Sequence, residues 1–219
     1  MEHKPTIAII GGTGNEGPGL ALRWAQAGYP IIIGSREREK AEATAETLNN
    51  ELKINSITGM QNNLAAQNAD ICVLTVVYTA HQSAIESLKE DLQGKLLIDA
   101  TARIDFRNPI PPEPPSAARI AQNILGDEVR VAAAFQNVPA HVLRKDLNKD
   151  LETDVLVFAD ISDAADTAIE LAEAGGMRAY YAGGLDNAIV AEGLTSILIS
   201  LNKTYGIKTA SIGITGVNK

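Results

Sequence analysis

The sequence predicts an α/β fold: a doubly wound, mainly parallel sheet with helices on both faces and a C-terminal capping helix. Three observations predict it. Short runs rich in Ile, Val and Ala alternate with longer helical stretches along the chain. The runs are apolar at nearly every position, as strands covered on both faces are. A glycine-rich turn joins the first run to the first helix, the connection that opens a βαβ unit.

Residues 6–10 read as the first strand, and a helix over about 15–27 follows the glycine turn and stops at Gly28. A second strand over 31–34 leads into an Ala- and Glu-rich helix over 37–52. Residues 69–76 and 95–100 supply two more strands, separated by a helical pattern over about 80–92. Pro109, Pro111, Pro112, Pro114 and Pro115 then crowd one segment. Proline there forces an extended loop, since it biases the preceding residue away from the helical region. Beyond it lie a helix over 116–125, strands over 129–133 and 154–159, and a helix over 162–174. A short strand over 178–181 and a long helix over about 186–205 complete the pattern. With no repeat and no other linker, residues 1–219 read as one compact unit. Residues 1–102 look like a nucleotide-binding half, and residues 103–219 complete and cap the sheet.

Composition narrows the partners. The net charge of −8 argues against nucleic acid and anionic membranes, which demand a positive surface. No apolar run approaches the roughly 20 residues a membrane span needs, and residues 1–5 carry no apolar leader. A cytoplasmic protein is expected. Cys72, the single cysteine, sits within an apolar strand and reads as an inert core thiol. His3, His81 and His141 are too scattered to suggest a metal site.

Residues 7–17 contain G-x-G-x-x-G at Gly12, Gly14 and Gly17. The spacing alone is weak, but here it follows a strand and opens a helix, the context of a Rossmann-type dinucleotide site. Gly12 would permit the tight turn, Gly14 the approach of a pyrophosphate, and Gly17 close helix–strand packing. The helix N-terminus then offers unpaired N–H groups to the phosphates. A glycine-rich turn that binds nothing is the alternative, and it would not need this register. The second strand selects the dinucleotide. NAD-preferring sites place Asp or Glu near its end, whereas this chain has Ser35 and Arg36, with Lys40 one helical turn on. A hydroxyl and two cations suit a 2′-phosphate, so NADP(H) is expected. Glu37 and Glu39 are interleaved with the basic residues, so an ordinary charged helix start is the competing reading.

Gly-Gly-Thr-Gly-Asn-x-Gly over 11–17, followed by Gly-Ser-Arg-x-x-x-Lys-Ala over 34–41, resembles the NADPH-dependent reductases of the deazaflavin coenzyme F420. The likeness continues through residues 70–81, 134–139, 154–160, 182–187 and 212–216, so it covers essentially the whole chain. The resemblance implies an oxidoreductase with direct hydride exchange between NADP(H) and F420. Such a step needs two stacked rings in a dry pocket and little acid–base help. It also implies that Thr13, Ser35, Arg36 and Lys40 hold the 2′-phosphate, with Gly12, Gly14, Asn15 and Gly17 in the turn. Val76, Val77 and Ala134 would flank the nicotinamide, and residues 134–139 would floor the second ring. Two positions touching the deazaflavin, usually His and an aliphatic residue, are Gln136 and Val138 here. Gln136 still donates and accepts hydrogen bonds but carries no charge. Val77 replaces a usual proline, and residues 101–106 also depart from the pattern. All of these changes lie on the acceptor side.

Tyr78 and His81 follow the carboxyl end of a strand, where open α/β sheets bind ligands. His81 reads either as a proton shuttle or as packing for its helix. Arg103 and Arg107 would meet an anionic tail of the second substrate or lie in a solvated loop. Asp186 and Asn187 read as caps of the last helix, and Tyr180 and Tyr181 as packing. In that helix Ile189, Val190, Leu194, Ile197, Leu198 and Leu201 all need cover. Relatives of the resembled family pair there, so a homodimer is expected. Two other functions fit the same residues: an NADPH-dependent reductase of another flavin, a quinone or a metal chelate, and an NADP(H)-binding sensor without turnover.

Overall fold

A computed structural model describes residues 4–105 and 107–217. The chain runs β1 (Ile7–Ile10), α1 (Gly17–Gln26), β2 (Ile31–Ser35), α2 (Arg38–Leu52), β3 (Ile57–Gln61), α3 (Asn62–Gln67), β4 (Ile71–Leu74), α4 (Tyr78–Leu88) and β5 (Leu96–Asp99). After the proline-rich loop come α5 (Ala117–Leu125), β6 (Arg130–Ala133), α6 (Ala140–Leu143), β7 (Asp154–Ala159), α7 (Ser162–Ala174), β8 (Arg178–Tyr181) and α8 (Ala188–Tyr205).

The strands form one sheet in the order β3-β2-β1-β4-β5-β6-β7-β8. Ile7 pairs with Ile31 of β2 on one side and Ile71 of β4 on the other, both parallel. Strand order therefore reverses beside β1, and ligands of such sheets bind at the carboxyl ends near that point. Among the described residues only the β6–β7 pairing is antiparallel, with Ala132 opposite Ala159. The doubly wound, mainly parallel α/β architecture is the expected one.

Two apolar layers sandwich the sheet. Leu20, Trp24, Phe135 and Leu171 lie in the layer under α1, α2 and α7, while Ile85, Leu88, Leu97 and Ala121 lie in the layer under α4 and α5. Full burial of each large aliphatic or aromatic side chain contributes roughly 1.5–3 kcal/mol. Trp24 and Phe135 meet edge to face at 5.8 Å, and Trp24 Nε1 donates to Leu171 O at 2.7 Å. Arg23, also buried, donates to the carbonyls of Leu143, Lys145, Lys149 and Gly175, tying α1 to α6, to the segment after it and to the end of α7. Burial pushes the Cys72 thiol up to about 12, as an inert core residue requires.

Three elements escape the hydrophobic pattern. The β3 edge strand reads Ile-Thr-Gly-Met-Gln, too polar for a run, and α3 and α6 are too short to show a period. The capping role expected of Asp186 and Asn187 is corrected. A short 3-10 turn, Leu185–Asn187, already leads into α8, and no side chain caps it. Asp186 instead pairs with Arg119 at 2.7 Å, and Asn187 Nδ2 donates to Ala182 O. Tyr181, expected to pack, is exposed, although its hydroxyl reaches Ala159 O.

Candidate functional site

The glycine turn crosses the carboxyl end of β1. Gly11 adopts φ +72°, and Gly12 donates to Ile9 O at 3.1 Å and Gly34 O at 2.9 Å. A Cβ on Gly12 would lie 2.7 Å from Ile9 O, and one on Gly17 would lie 2.6 Å from Gly12 Cα. Gly14 has room, with nothing nearer than 3.6 Å, and both Gly14 and Asn15 are exposed. The N-terminus of α1 has no side-chain cap, so its N–H groups remain available to an anion. Asn62, which no motif announces, supports the turn, and Glu16 borders it. Asn62 Oδ1 accepts from Gly11 N at 3.2 Å. Glu16 stands at the start of α1, its Oε1 without a partner and its carboxyl pushed up to about 8 by burial.

Ser35 and Arg36 follow directly, since Gly34 O is bonded to the turn. Ser35 is buried, and its Oγ accepts from Glu37 N at 3.2 Å. Arg36 is exposed, while Lys40 is ion-paired with Glu37 at 2.6 Å. Thr13 is half-buried beside Gly12. The expected phosphate-binding residues therefore share one edge of the sheet.

The neighbouring edge carries the second group of residues. Val76 rests on the turn, its Cγ1 2.7 Å from where a Gly11 Cβ would stand, and Val77 is 60% exposed. Residues 134–139 follow β6. Ala134 is fully buried and joins the core beside Phe135. Phe135 takes φ +77°, a conformation that costs a non-glycine residue about 1–3 kcal/mol and recurs at functional sites. Gln136 donates Nε2 to Asp99 O at 2.8 Å, and its main-chain oxygen accepts from Thr195 Oγ1 at 2.7 Å. Its Oε1 is buried without a partner, as is Asn137 Oδ1. Val138 is 7% exposed and packs with Phe135 in the core.

His81 Nε2 lies 2.7 Å from Asp99 Oδ2, and neither side chain has exposed surface. A proton shuttle must reach its substrate, so the reading of His81 as a catalytic group is corrected: it is a packing and hydrogen-bonding residue. Asp99 was not legible as a site residue, because it ends an otherwise apolar strand. The Arg103 guanidinium donates to the carbonyls of Glu113 and Pro115 and stacks 5.1 Å from the Tyr78 ring, bracing the proline loop, while its Nε is buried without a partner. Glu192 on α8 holds both ends of that loop, accepting from Arg103 N at 2.9 Å and Ala117 N at 2.7 Å. Burial raises its carboxyl to about 7. Among the described residues no group of His, Cys, Asp or Glu is placed to hold a metal; His3 lies outside them.

The arrangement resembles known proteins closely. Residues 6–103 match the family model described as NADP oxidoreductase, coenzyme F420-dependent. An F420-dependent NADP reductase of Methanothermobacter marburgensis is 42% identical, over 96% of this chain and 98% of the relative. The F420-dependent NADP reductase of Methanocaldococcus jannaschii is 40% identical, over 96% and 98%. Among solved structures, a putative F420-dependent NADP reductase from Arthrobacter sp. FB24 superposes with a TM-score of 0.80 at 22% identity, over 97% of this chain and all of that one. A pyrroline carboxylate reductase from Plasmodium falciparum, solved with NADP bound, shares the fold with a TM-score of 0.59 at 14% identity, over 94% and 78%.

Proposed function

This chain belongs to the F420-dependent NADP reductases, and we propose from its carboxyl-edge cleft that it is an oxidoreductase passing hydride between NADP(H) and the deazaflavin coenzyme F420. The observation that carries this reading is the whole-length kinship combined with an intact glycine turn beside Ser35 and Arg36. NADP(H) and F420, when bound, supply the two ring carbons between which hydride moves. Everything else falls to the protein's own residues.

The residues fit both molecules. Gly14 leaves open the approach that a pyrophosphate needs, and the uncapped start of α1 supplies donors for it. Gly12 and Gly17 hold the turn closed, with Thr13 and Asn15 at its rim. Ser35, Arg36 and Lys40 would hold a 2′-phosphate, with Arg36 best placed because Lys40 must first leave Glu37. Val76, Val77 and the main chain of Ala134 would border the nicotinamide. On the acceptor side, the orphaned Oε1 of Gln136 and Oδ1 of Asn137 are buried acceptors that a ring N–H would satisfy. Gln136 and Val138 would then orient the ring, and no side chain here has to take a proton from carbon. Residues 1–102 thus serve NADP(H), and residues 103–219 serve the acceptor and pairing.

A homodimer in the cytoplasm is part of the proposal. Val190, Ile197, Leu201 and Tyr205 on α8 expose 59, 51, 39 and 70% of their surface. Their spacing places them on one stripe of the helix, which a second copy would cover. The reading is tested by mixing the protein with NADPH and, separately, with F420, FMN, FAD and a quinone, and following NADPH absorbance. Turnover with F420 alone supports it. Turnover only with the others would assign a different acceptor, and NADPH binding with no turnover would assign a sensor.

A further inference from the structure

A fully enclosed His–Asp pair joins α4 to the end of β5. Every polar atom of Asp99 beyond the sheet ladder is committed. Oδ2 lies 2.7 Å from His81 Nε2, and Oδ1 accepts from Thr101 N at 2.9 Å. Its main-chain oxygen accepts from Gln136 Nε2 at 2.8 Å and from Ala134 N at 3.2 Å. Thr101 Oγ1 in turn reaches Val76 O at 3.5 Å. The turns that follow β4, β5 and β6 therefore converge on one residue, and His81 holds its side chain.

This convergence dictates which way the Gln136 amide points. A main-chain carbonyl only accepts, so Gln136 must give its NH2 group to Asp99 O, leaving Oε1 as the unpartnered acceptor. An acceptor ring carrying an imide N–H satisfies that oxygen; a ring offering a carbonyl at the same place does not.

Stability is a poor explanation for the pair. Burying ionisable groups carries a desolvation penalty of several kcal/mol each, and well-packed apolar replacements are often neutral or stabilising. What an apolar replacement would lose is the directional link from α4 through Asp99 to Thr101.

We propose that His81 and Asp99 are positioning residues: the enclosed pair locks the turns after β4, β5 and β6 into one frame and keeps Gln136 Oε1 free to accept a ring N–H. The identity of that ring rests on the function proposed above. The frame itself does not.

The test compares wild type with His81→Leu, His81→Gln and Asp99→Asn. Leucine removes the ring nitrogen, whereas glutamine returns an N–H donor near the position of Nε2. Each protein is titrated separately with NADP+ and with oxidised deazaflavin, and its amide exchange is followed by segment. In His81→Leu, deazaflavin binding should weaken about tenfold, the worth of one lost hydrogen bond, while NADP+ binding stays within about twofold. Exchange should quicken over residues 75–82, 99–104 and 134–139 and nowhere else. His81→Gln should recover deazaflavin binding to within about threefold of wild type. Wild-type binding and exchange in His81→Leu would overturn the proposal. So would equal loss of both ligands with faster exchange across the whole sheet, the mark of a merely structural pair. Should His81→Leu fail to fold, Asp99→Asn decides, since it keeps an oxygen for Thr101 N and removes the carboxylate facing His81. A wild type that binds NADP+ but not the deazaflavin would sink the acceptor assignment, and the exchange pattern would still judge the frame.

Discussion

Gly17 packs directly on Gly12: a Cβ added to Gly17 would lie 2.6 Å from Gly12 Cα, while one added to Gly14 would meet nothing nearer than 3.6 Å. Glycines of one motif thus answer to different constraints. Gly17→Ala presses backbone against backbone and should lower stability by about 1–3 kcal/mol or more. Gly14→Ala should keep the wild-type urea midpoint and yet bind NADP+ far more weakly, because its methyl would stand on the approach proposed for the pyrophosphate. Loss of stability in both variants alike would contradict this division.

Arg36 has no ion-pair partner among the described residues, whereas Lys40 is held by Glu37. Charge-assisted bonds contribute about 1.5–3 kcal/mol each, so Arg36→Ala should raise KM for NADPH roughly 10- to 100-fold. The value for NADH should barely move. Lys40→Ala should do the same more weakly. Equal effects on NADPH and NADH would remove the 2′-phosphate assignment.

Glu192 makes stability depend on pH in a stated direction. Burial raises its carboxyl from 4.5 to about 7 in the folded chain. Below 4.5 it is protonated in both states. Between those values the unfolded chain releases the proton and the folded chain keeps it, so stability falls as pH rises, by roughly 3 kcal/mol at most, and then levels off. Glu192→Gln cannot titrate, so that descending limb should disappear from urea midpoints measured across the interval. Parallel profiles for the two proteins would contradict the role given to Glu192.

Ile197 is half exposed in the middle of the α8 stripe. A charge there cannot be buried without a partner, so Ile197→Glu should convert a dimer into a monomer in sedimentation while leaving NADP+ affinity unchanged. A wild type that sediments as a monomer would remove the pairing proposal.

Much of the fold was legible in the sequence. Apolar runs located seven of the eight strands, because strands covered on both faces cannot hide their composition. The missing one, β3, is an edge strand whose outer side needs no apolar residue. Gly12 and Gly17 were legible because the tight turn demands glycine at fixed spacing, whereas Gly14, Ser35 and Arg36 were read from the residue types that a phosphate would demand. The acceptor side was less so. Ala134 and His81 turn inward, and Asp99, Asn62 and Glu192 act through bonds to main-chain atoms distant in sequence, for which no local pattern exists.

Isotope transfer distinguishes direct hydride exchange between NADP(H) and F420 from a route through solvent. NADPH carrying deuterium on the transferred face of nicotinamide C4 is mixed with the protein and oxidised F420 in ordinary water, and the reduced deazaflavin is analysed by mass and by NMR. One deuterium at deazaflavin C5 is the predicted result. A reduced deazaflavin whose C5 hydrogen comes from solvent, or no reduction at all, would contradict it.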